Sequence, residues 1–211
     1  MVQYKLIYFN ARGAAEVIRL VFKVAGVDFV DERIEMDDWI NRKHEMIHGK
    51  LPVLEIDGKQ YTQCKAITLH LAREFGLMGC GNMDKFRIHE LQELLADMLQ
   101  KEMVKIHLEQ DVYRKKEMAT AFSEDSLPKY LDFLEVRLKE NNDGKGFFIG
   151  EKITAADLTV YCALDTVDNF LNKLDVDSRF SSRPLLKDHF DRVATDPAIS
   201  VWIAQRPLTD M

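Results

Sequence analysis

Cross-linking chemistry is nearly missing from this chain. Its three cysteines, Cys64, Cys80 and Cys162, are odd in number and form no C-x-x-C pair. Neither a disulfide framework nor a structural zinc site is expected, and free thiols in a reducing cytosol are. The six histidines lie far apart, none at metal-ligand spacing from a cysteine or glutamate, so they read as surface or packing residues and no metal is expected. A basic surplus is also missing: the formal net charge is −6 and lysine and arginine are scattered. Without a basic stripe to hold a phosphate backbone, nucleic acid is not an expected partner. No uninterrupted apolar run approaches the ~20 residues that cross a bilayer, which argues against a membrane role. The opening residues Met1-Val2-Gln3-Tyr4-Lys5 lack the basic-then-apolar layout of a secretory leader, so the expected location is cytoplasmic.

What is present is an ordinary globular balance, 46% hydrophobic and 30% charged over 211 residues. That length supports one large domain or two small ones without staples. From about residue 3 to residue 76, short β-prone runs alternate with helical ones. Lys5 to Phe9 reads as a strand and Ala14 to Ala25 as a helix closed by Gly26. Val27 to Ile34 alternates again. Leu51 to Ile56 and Lys59 to Thr62 flank Asp57-Gly58, a strong two-residue hairpin signal. A helix follows from near Cys64 to Phe75 and stops at Gly76. This order, β-α-β and then β-β-α, is that of a thioredoxin-like α/β domain, with a right-handed crossover and an added antiparallel hairpin.

Three glycines between Gly76 and Gly81 mark a linker. Beyond it the pattern is helical throughout: a long helix from Met83 to about Glu117, then Leu127–Leu138, Ala155–Leu171, Leu185–Ala194 and Ala198–Ala204. The expected division is a thioredoxin-like domain over 1–79 and an all-helical C-terminal domain over 82–211. In Ile153-Thr154-Ala155-Ala156-Asp157-Leu158 the Asp157 carboxylate can return to the Thr154 amide, a capping box with an expected value of ~1 kcal/mol or more.

Candidate functional residues cluster in the first region. Tyr8 closes the first strand just before a turn, where α/β domains place reactive groups. A half-buried strand tyrosine is the plain alternative. Trp39 and Lys43 are four apart and share a helical face, suited either to a small anionic ligand or to an exposed turn. Lys50-Leu51-Pro52 precedes a strand. A cis Leu51–Pro52 bond would leave the Leu51 backbone free to face a ligand, but cis is the minority state at ~5–6% and the residues alone do not select it. Gln63-Cys64 opens a helix, whose first-turn amides favour a carboxylate. A simple cap is the alternative there. Together these groups suit a small peptide with two carboxylates and one thiol.

The run Tyr4-x-Leu6-x-Tyr8-Phe9-Asn10-x-Arg12-Gly13-x-Ala15-Glu16-x-Ile18-Arg19 resembles the opening of sigma-class glutathione transferases. So do Asp38-Trp39, Leu51 to Gly58, Ala66-Ile67, Leu71 to Gly76, Ile153 to Leu158 and Arg206-Pro207. The resemblance spans the whole chain, and prostaglandin D synthase and lens S-crystallins belong to the same group. It implies the cytosolic glutathione transferase fold, glutathione as co-substrate, a hydrophobic electrophile as second substrate, and a homodimer. Tyr8 would hydrogen-bond the glutathione sulfur. Trp39 and Lys43 would contact the glycyl carboxylate, and Lys50 and Leu51 the cysteinyl part, with Pro52 cis. Gln63 and Cys64 would hold the γ-glutamyl carboxylate, and Asp97 would reach the γ-glutamyl amine of the neighbouring subunit. Phe9, Ala14, Leu99 and Met103 would line the acceptor pocket.

A free thiol has a pKa of ~8.5. A donor at the sulfur favours the thiolate, and lowering that pKa by about two units corresponds to ~2.7 kcal/mol. The scheme needs no metal. Cys64 departs from the usual serine. A thiol is the weaker donor, so looser glutathione binding is expected. Its place at a helix N-terminus also predicts a lowered pKa and ready oxidation, at the γ-glutamyl end and away from the substrate sulfur. Ala14 stands where prostaglandin D synthase has arginine, which counts against prostaglandin isomerase activity. Isomerase or peroxidase chemistry, a ligand-carrying role and a weakly active lens-type crystallin remain the alternatives. Lens crystallins of this group are typically methionine-rich and often carry an insertion among the C-terminal helices; here nine methionines are mildly high but not extreme, no insertion is evident and Tyr8 is present, which favours the enzyme.

Overall fold

In the computed structural model, which describes residues 2–209, the alternating run Tyr4–Phe9 forms strand β1. Leu6 and Ile7 are both buried, so this strand is covered on both faces. A 3-10 turn, Gly13–Ala15, leads into α1, Glu16–Ala25. Its apolar face buries Ile18, Val21 and Phe22, and Gly26 ends it in the left-handed region that a Cβ would oppose. β2, Val30–Ile34, pairs parallel to β1. The stretch without clear pattern becomes a short helix, α2, Trp39–Arg42, between two 3-10 turns. β3, Val53–Ile56, and β4, Lys59–Thr62, form the expected hairpin. Asp57 and Gly58 both have positive φ, as a type I′ turn requires. Helix α3, Cys64–Glu74, follows. The sheet order is β2-β1-β3-β4, with β3 antiparallel to β1.

The chain divides into two compact units. One holds the residues up to Leu77 together with those from Asp196 onward, and the other is Met78–Thr195. The second is helical throughout, with no strand among its described residues. Helix α4, Asn82–Ala96, continues through a π-helical segment, Asp97–Met103, into α5, Val104–Leu108. Leu91, Leu95 and Met98 are buried as the periodicity requires. The single helix expected to run on to Glu117 instead breaks at Glu109, whose ψ of 131° is extended. Asp111 then caps α6, Val112–Ala121, by accepting the Arg114 amide at 2.8 Å. A second π-helical segment, Phe122–Ser126, joins α6 to α7, Leu127–Lys139. It lies just ahead of Pro128, which has no N–H to give to the preceding turn. Helices α8, Ala155–Asn172, and α9, Pro184–Ala194, complete this unit. No helix among the described residues is long and apolar enough to cross a membrane.

The last helix, α10, Pro197–Gln205, does not follow the expected division at residue 82. It belongs with the first unit, packed on α1. Trp202 and Arg206 both donate to the buried carboxylate of Glu16, at 2.9 and 2.8 Å. Local helical pattern cannot reveal a partner this far away in sequence.

The start of α8 is tied more firmly than its capping pattern implies. Asp157 is fully buried, and its Oδ2 accepts the Thr154 amide and hydroxyl, each at 2.8 Å. Its Oδ1 accepts the Phe148 amide at 2.8 Å and lies 2.9 Å from Nε2 of the buried His189. Asp157→Ala strands these donors without water. The expected loss is about 3 kcal/mol or more, against the ~1 kcal/mol of a simple cap, read as a lower urea midpoint.

Candidate active site

Tyr8 stands next to the end of β1, and the loop that follows folds back over its phenol. Gly13 makes this approach possible. Its φ is +41°, and a Cβ there would sit 2.7 Å from Tyr8 Oη and 3.0 Å from Cε1. The next amide, of Ala14, donates to Tyr8 Oη at 3.2 Å. The hydroxyl therefore acts as acceptor within the loop and keeps its own proton for another acceptor. Burial pushes the Tyr8 pKa up. The Ala14 hydrogen bond lowers it, nearby Cys64 raises it and the Arg19 charge lowers it, and the result lies above the ordinary value of 10. At neutral pH Tyr8 is thus a neutral phenol, a donor rather than a base.

Trp39 and Leu51 pack against one apolar cluster, formed by Ile7, Ile34, Met46 and Val53. The Phe9 ring lies edge-on to Trp39 at 5.4 Å and to Tyr8 at 5.6 Å, so these three aromatics are contiguous. Lys43 is exposed and folds over Gly49, where an added Cβ would meet its Cε at 3.4 Å. The Lys43 side chain thus lies against the Gly49 turn, which Lys50 and Leu51 follow directly in the chain. Lys50 is exposed, and the Leu51–Pro52 bond is cis.

At the start of α3, Gln63 adopts φ 74° and ψ 103°, a strained conformation for a residue with a side chain. It leaves the first-turn amides of α3 without a side-chain cap. Cys64 differs from the expectation of a lowered pKa. Its Sγ donates to the Ala14 carbonyl at 2.9 Å. The two ends of the Ala14 residue therefore link Cys64 to Tyr8, and the thiol is not remote from the phenol. Its pKa is not lowered. Burial raises it to about 11, outweighing a hydrogen bond with Thr68 and the charge of Lys65, so the helix N-terminus does not win here.

The remaining expected residues lie in the second unit. Asp97 is paired with Lys101 at 2.8 Å on an exposed helical face. Leu99 is half-buried and Met103 buried, both within the π-helical segment. Among the described residues no group of three or more His, Cys, Asp or Glu side chains could hold a metal. Ala14, named for the acceptor pocket, is exposed beside Tyr8. Sequence reasoning missed Glu16 and Arg19, which are buried beneath this loop, and Arg19 Cζ lies 6.0 Å from the Tyr8 ring centroid. The available signal was a pair of opposite charges three apart within an apolar helix.

A model of the glutathione S-transferase N-terminal domain matches residues 4–73, and one of the glutathione S-transferase C-terminal domain matches residues 96–206. The chain is 36% identical to S-crystallin SL11 of Nototodarus sloanii, covering 98% of each. It is 32% identical to Glutathione S-transferase 3 of Caenorhabditis elegans, covering 99% of each. The solved structure of a Nu-class GST from Haemonchus contortus superposes with a TM-score of 0.88 at 34% identity, covering both chains fully.

Cys64 and Cys80 should separate by reactivity. With a pKa near 11, fewer than about one Cys64 thiol in a thousand is ionised at pH 7.4, and the thiolate is the reactive form. Iodoacetamide at that pH is expected to label the exposed Cys80 well before Cys64, with the order read by peptide mass spectrometry.

Proposed function

The chain belongs to the glutathione S-transferase family, and on that premise we propose that it is a sigma-class enzyme that conjugates glutathione to hydrophobic electrophiles. Tyr8 is the group that turns the bound thiol into a thiolate. The observation that carries this reading is the Ala14 amide on Tyr8 Oη, which leaves a neutral phenol with its proton free to donate. A sulfur taking that proton in a hydrogen bond is stabilised as the anion, and the phenol need not ionise. The rest of the tripeptide is assigned along the same surface: glycyl carboxylate at Trp39 and Lys43, cysteinyl backbone at Lys50 and Leu51 ahead of Pro52, and γ-glutamyl carboxylate at Gln63, Cys64 and the open start of α3. In the proposed homodimer Asp97 serves the γ-glutamyl amine of the neighbouring subunit. The role is detoxification in the cytoplasm, with no metal in the reaction.

One observation favours a second reading. Similarity to an S-crystallin along 98% of the chain is compatible with a structural protein that has little activity. The same assay decides between them. Conjugation of a chlorodinitrobenzene-type substrate is expected for the wild type. Tyr8→Phe is expected to lower kcat/KM by about a hundredfold, the scale of removing one donor from a developing anion. The thiol's apparent pKa should rise toward that of free glutathione, a thiol near ~8.5. An inactive wild type would favour the crystallin reading, and an unaffected Tyr8→Phe would remove the tyrosine from the mechanism.

Cys64 generates a separate expectation. Its thiol is a weak donor already committed to the Ala14 carbonyl. Cys64→Ser is expected to lower the KM for glutathione about two- to fivefold at similar kcat, the scale of improving one hydrogen bond. An unchanged KM counts against a γ-glutamyl contact at this position.

A further inference from the structure

Beneath the Tyr8 loop lies a buried chain of charges that reaches the far end of the sequence. Glu16 is 4% exposed. Its Oε1 accepts Trp202 Nε1 at 2.9 Å and Arg206 Nη1 at 2.8 Å, and its Oε2 accepts Arg19 Nη1 at 3.1 Å. Burial pushes its pKa up, but the Trp202 and Arg206 hydrogen bonds and the charges of Arg19 and Arg206 outweigh it and hold the carboxyl below its ordinary value. Glu16 is therefore a charged group at neutral pH.

Arg19 is completely buried, and its donors are unevenly used. Nη1 has two hydrogens and three acceptors in reach: the carbonyls of Ala11 at 2.8 Å and Arg12 at 3.3 Å, and Glu16 Oε2. Nε is committed to Asp31 at 3.0 Å, while Nη2 has no hydrogen-bond partner among the described residues. The guanidinium thus holds the two carbonyls just ahead of Gly13 while a second full donor stands idle. A carboxylate with nothing else to bind would take both Nη1 and Nη2, since a forked pair is the preferred geometry. Trp202 and Arg206 occupy the oxygen that such a pair would need.

From this we infer that α10 controls the geometry of the Tyr8 loop, and that Trp202, Arg206, Glu16 and Arg19 are positioning residues for thiol activation. By satisfying Glu16 from one side, Trp202 and Arg206 leave Arg19 Nη1 available to the Ala11 and Arg12 carbonyls. Those carbonyls set the approach of Gly13 and the Ala14 amide to the phenol. Without the two donors from α10, Glu16 draws the guanidinium toward itself. The carbonyls are released, and the Ala14 hydrogen bond to Tyr8 lengthens. The phenol then becomes a poorer donor to the sulfur, although no residue that would touch glutathione has changed. This inference rests on Tyr8 as the activating group.

The test titrates the ultraviolet thiolate absorbance of glutathione bound to the full-length protein, in wild type, Trp202→Phe/Arg206→Gln, Arg206→Lys and Tyr8→Phe. The double variant is expected to raise the apparent pKa of the bound thiol by about half a unit to one unit. It should lower kcat/KM below pH 7 by about three- to tenfold, with the glutathione KM within about twofold of wild type. Arg206→Lys should restore most of the wild-type value. Should the double variant not fold, Trp202→Phe alone is read for a change of the same sign and about half the size, since it removes one donor of two. A thiol pKa equal to wild type in the folded variant overturns the inference, whatever happens to the Tm. If Tyr8→Phe raises the thiol pKa and the α10 variant does not, only the role of α10 falls. If Tyr8→Phe leaves it unchanged, the reading of Tyr8 falls and this inference falls with it.

Discussion

The hydrogen bond from the Ala14 amide to the Tyr8 hydroxyl is the contact on which the rest of the first unit converges. It exists because Gly13 lets backbone lie where any side chain would collide with the phenol. It matters because a hydroxyl that accepts from the protein is left with a proton to give away. Burial keeps that proton in place by raising the Tyr8 pKa above its ordinary value. A surface tyrosine at a strand end would have neither property.

Buried charge is usually a liability, since desolvation exceeds the gain from a single partner. Here Glu16, Arg19 and Asp31 are arranged so that each carboxylate has at least one guanidinium, and Glu16 has two together with an indole N–H. The cost of burial is offset collectively, and the cluster joins the start of α1, the loop after β1 and α10. The second unit uses the same device at the start of α8. There Asp157 gathers Thr154, Phe148 and His189 around one carboxylate and closes a helix end that would otherwise expose unpaired amides to a dry core.

Cys64 shows how two correct rules can compete. A helix N-terminus stabilises a thiolate, and burial destabilises it. The outcome depends on how far the sulfur is withdrawn from water, and Cys64 is half-buried with its Sγ turned to the Ala14 carbonyl. Burial dominates, and the pKa moves up. The break between α5 and α6 arises in a similar way. The amphipathic pattern runs on to Glu117, but the extended ψ of Glu109 and the Asp111 cap stop the helix there.

The amino-acid sequence by itself determined what depends on neighbours a few residues apart. This includes the strand and helix order of the first unit, the Asp57-Gly58 turn, the Gly26 helix end and the Thr154–Asp157 return bond. Each follows from periodicity, φ preference or a side chain reaching its own backbone. Resemblance to a family added the assignment of Tyr8 and the cis form of Leu51–Pro52, which spacing alone did not select. Only the tertiary structure decided that Glu16 meets Trp202 across 186 positions of chain, that α10 joins the first unit, and that the Cys64 thiol is held protonated. Burial and long-range charge pairing are properties of a packed interior, and no local pattern encodes the dielectric or the partner that a side chain will find there.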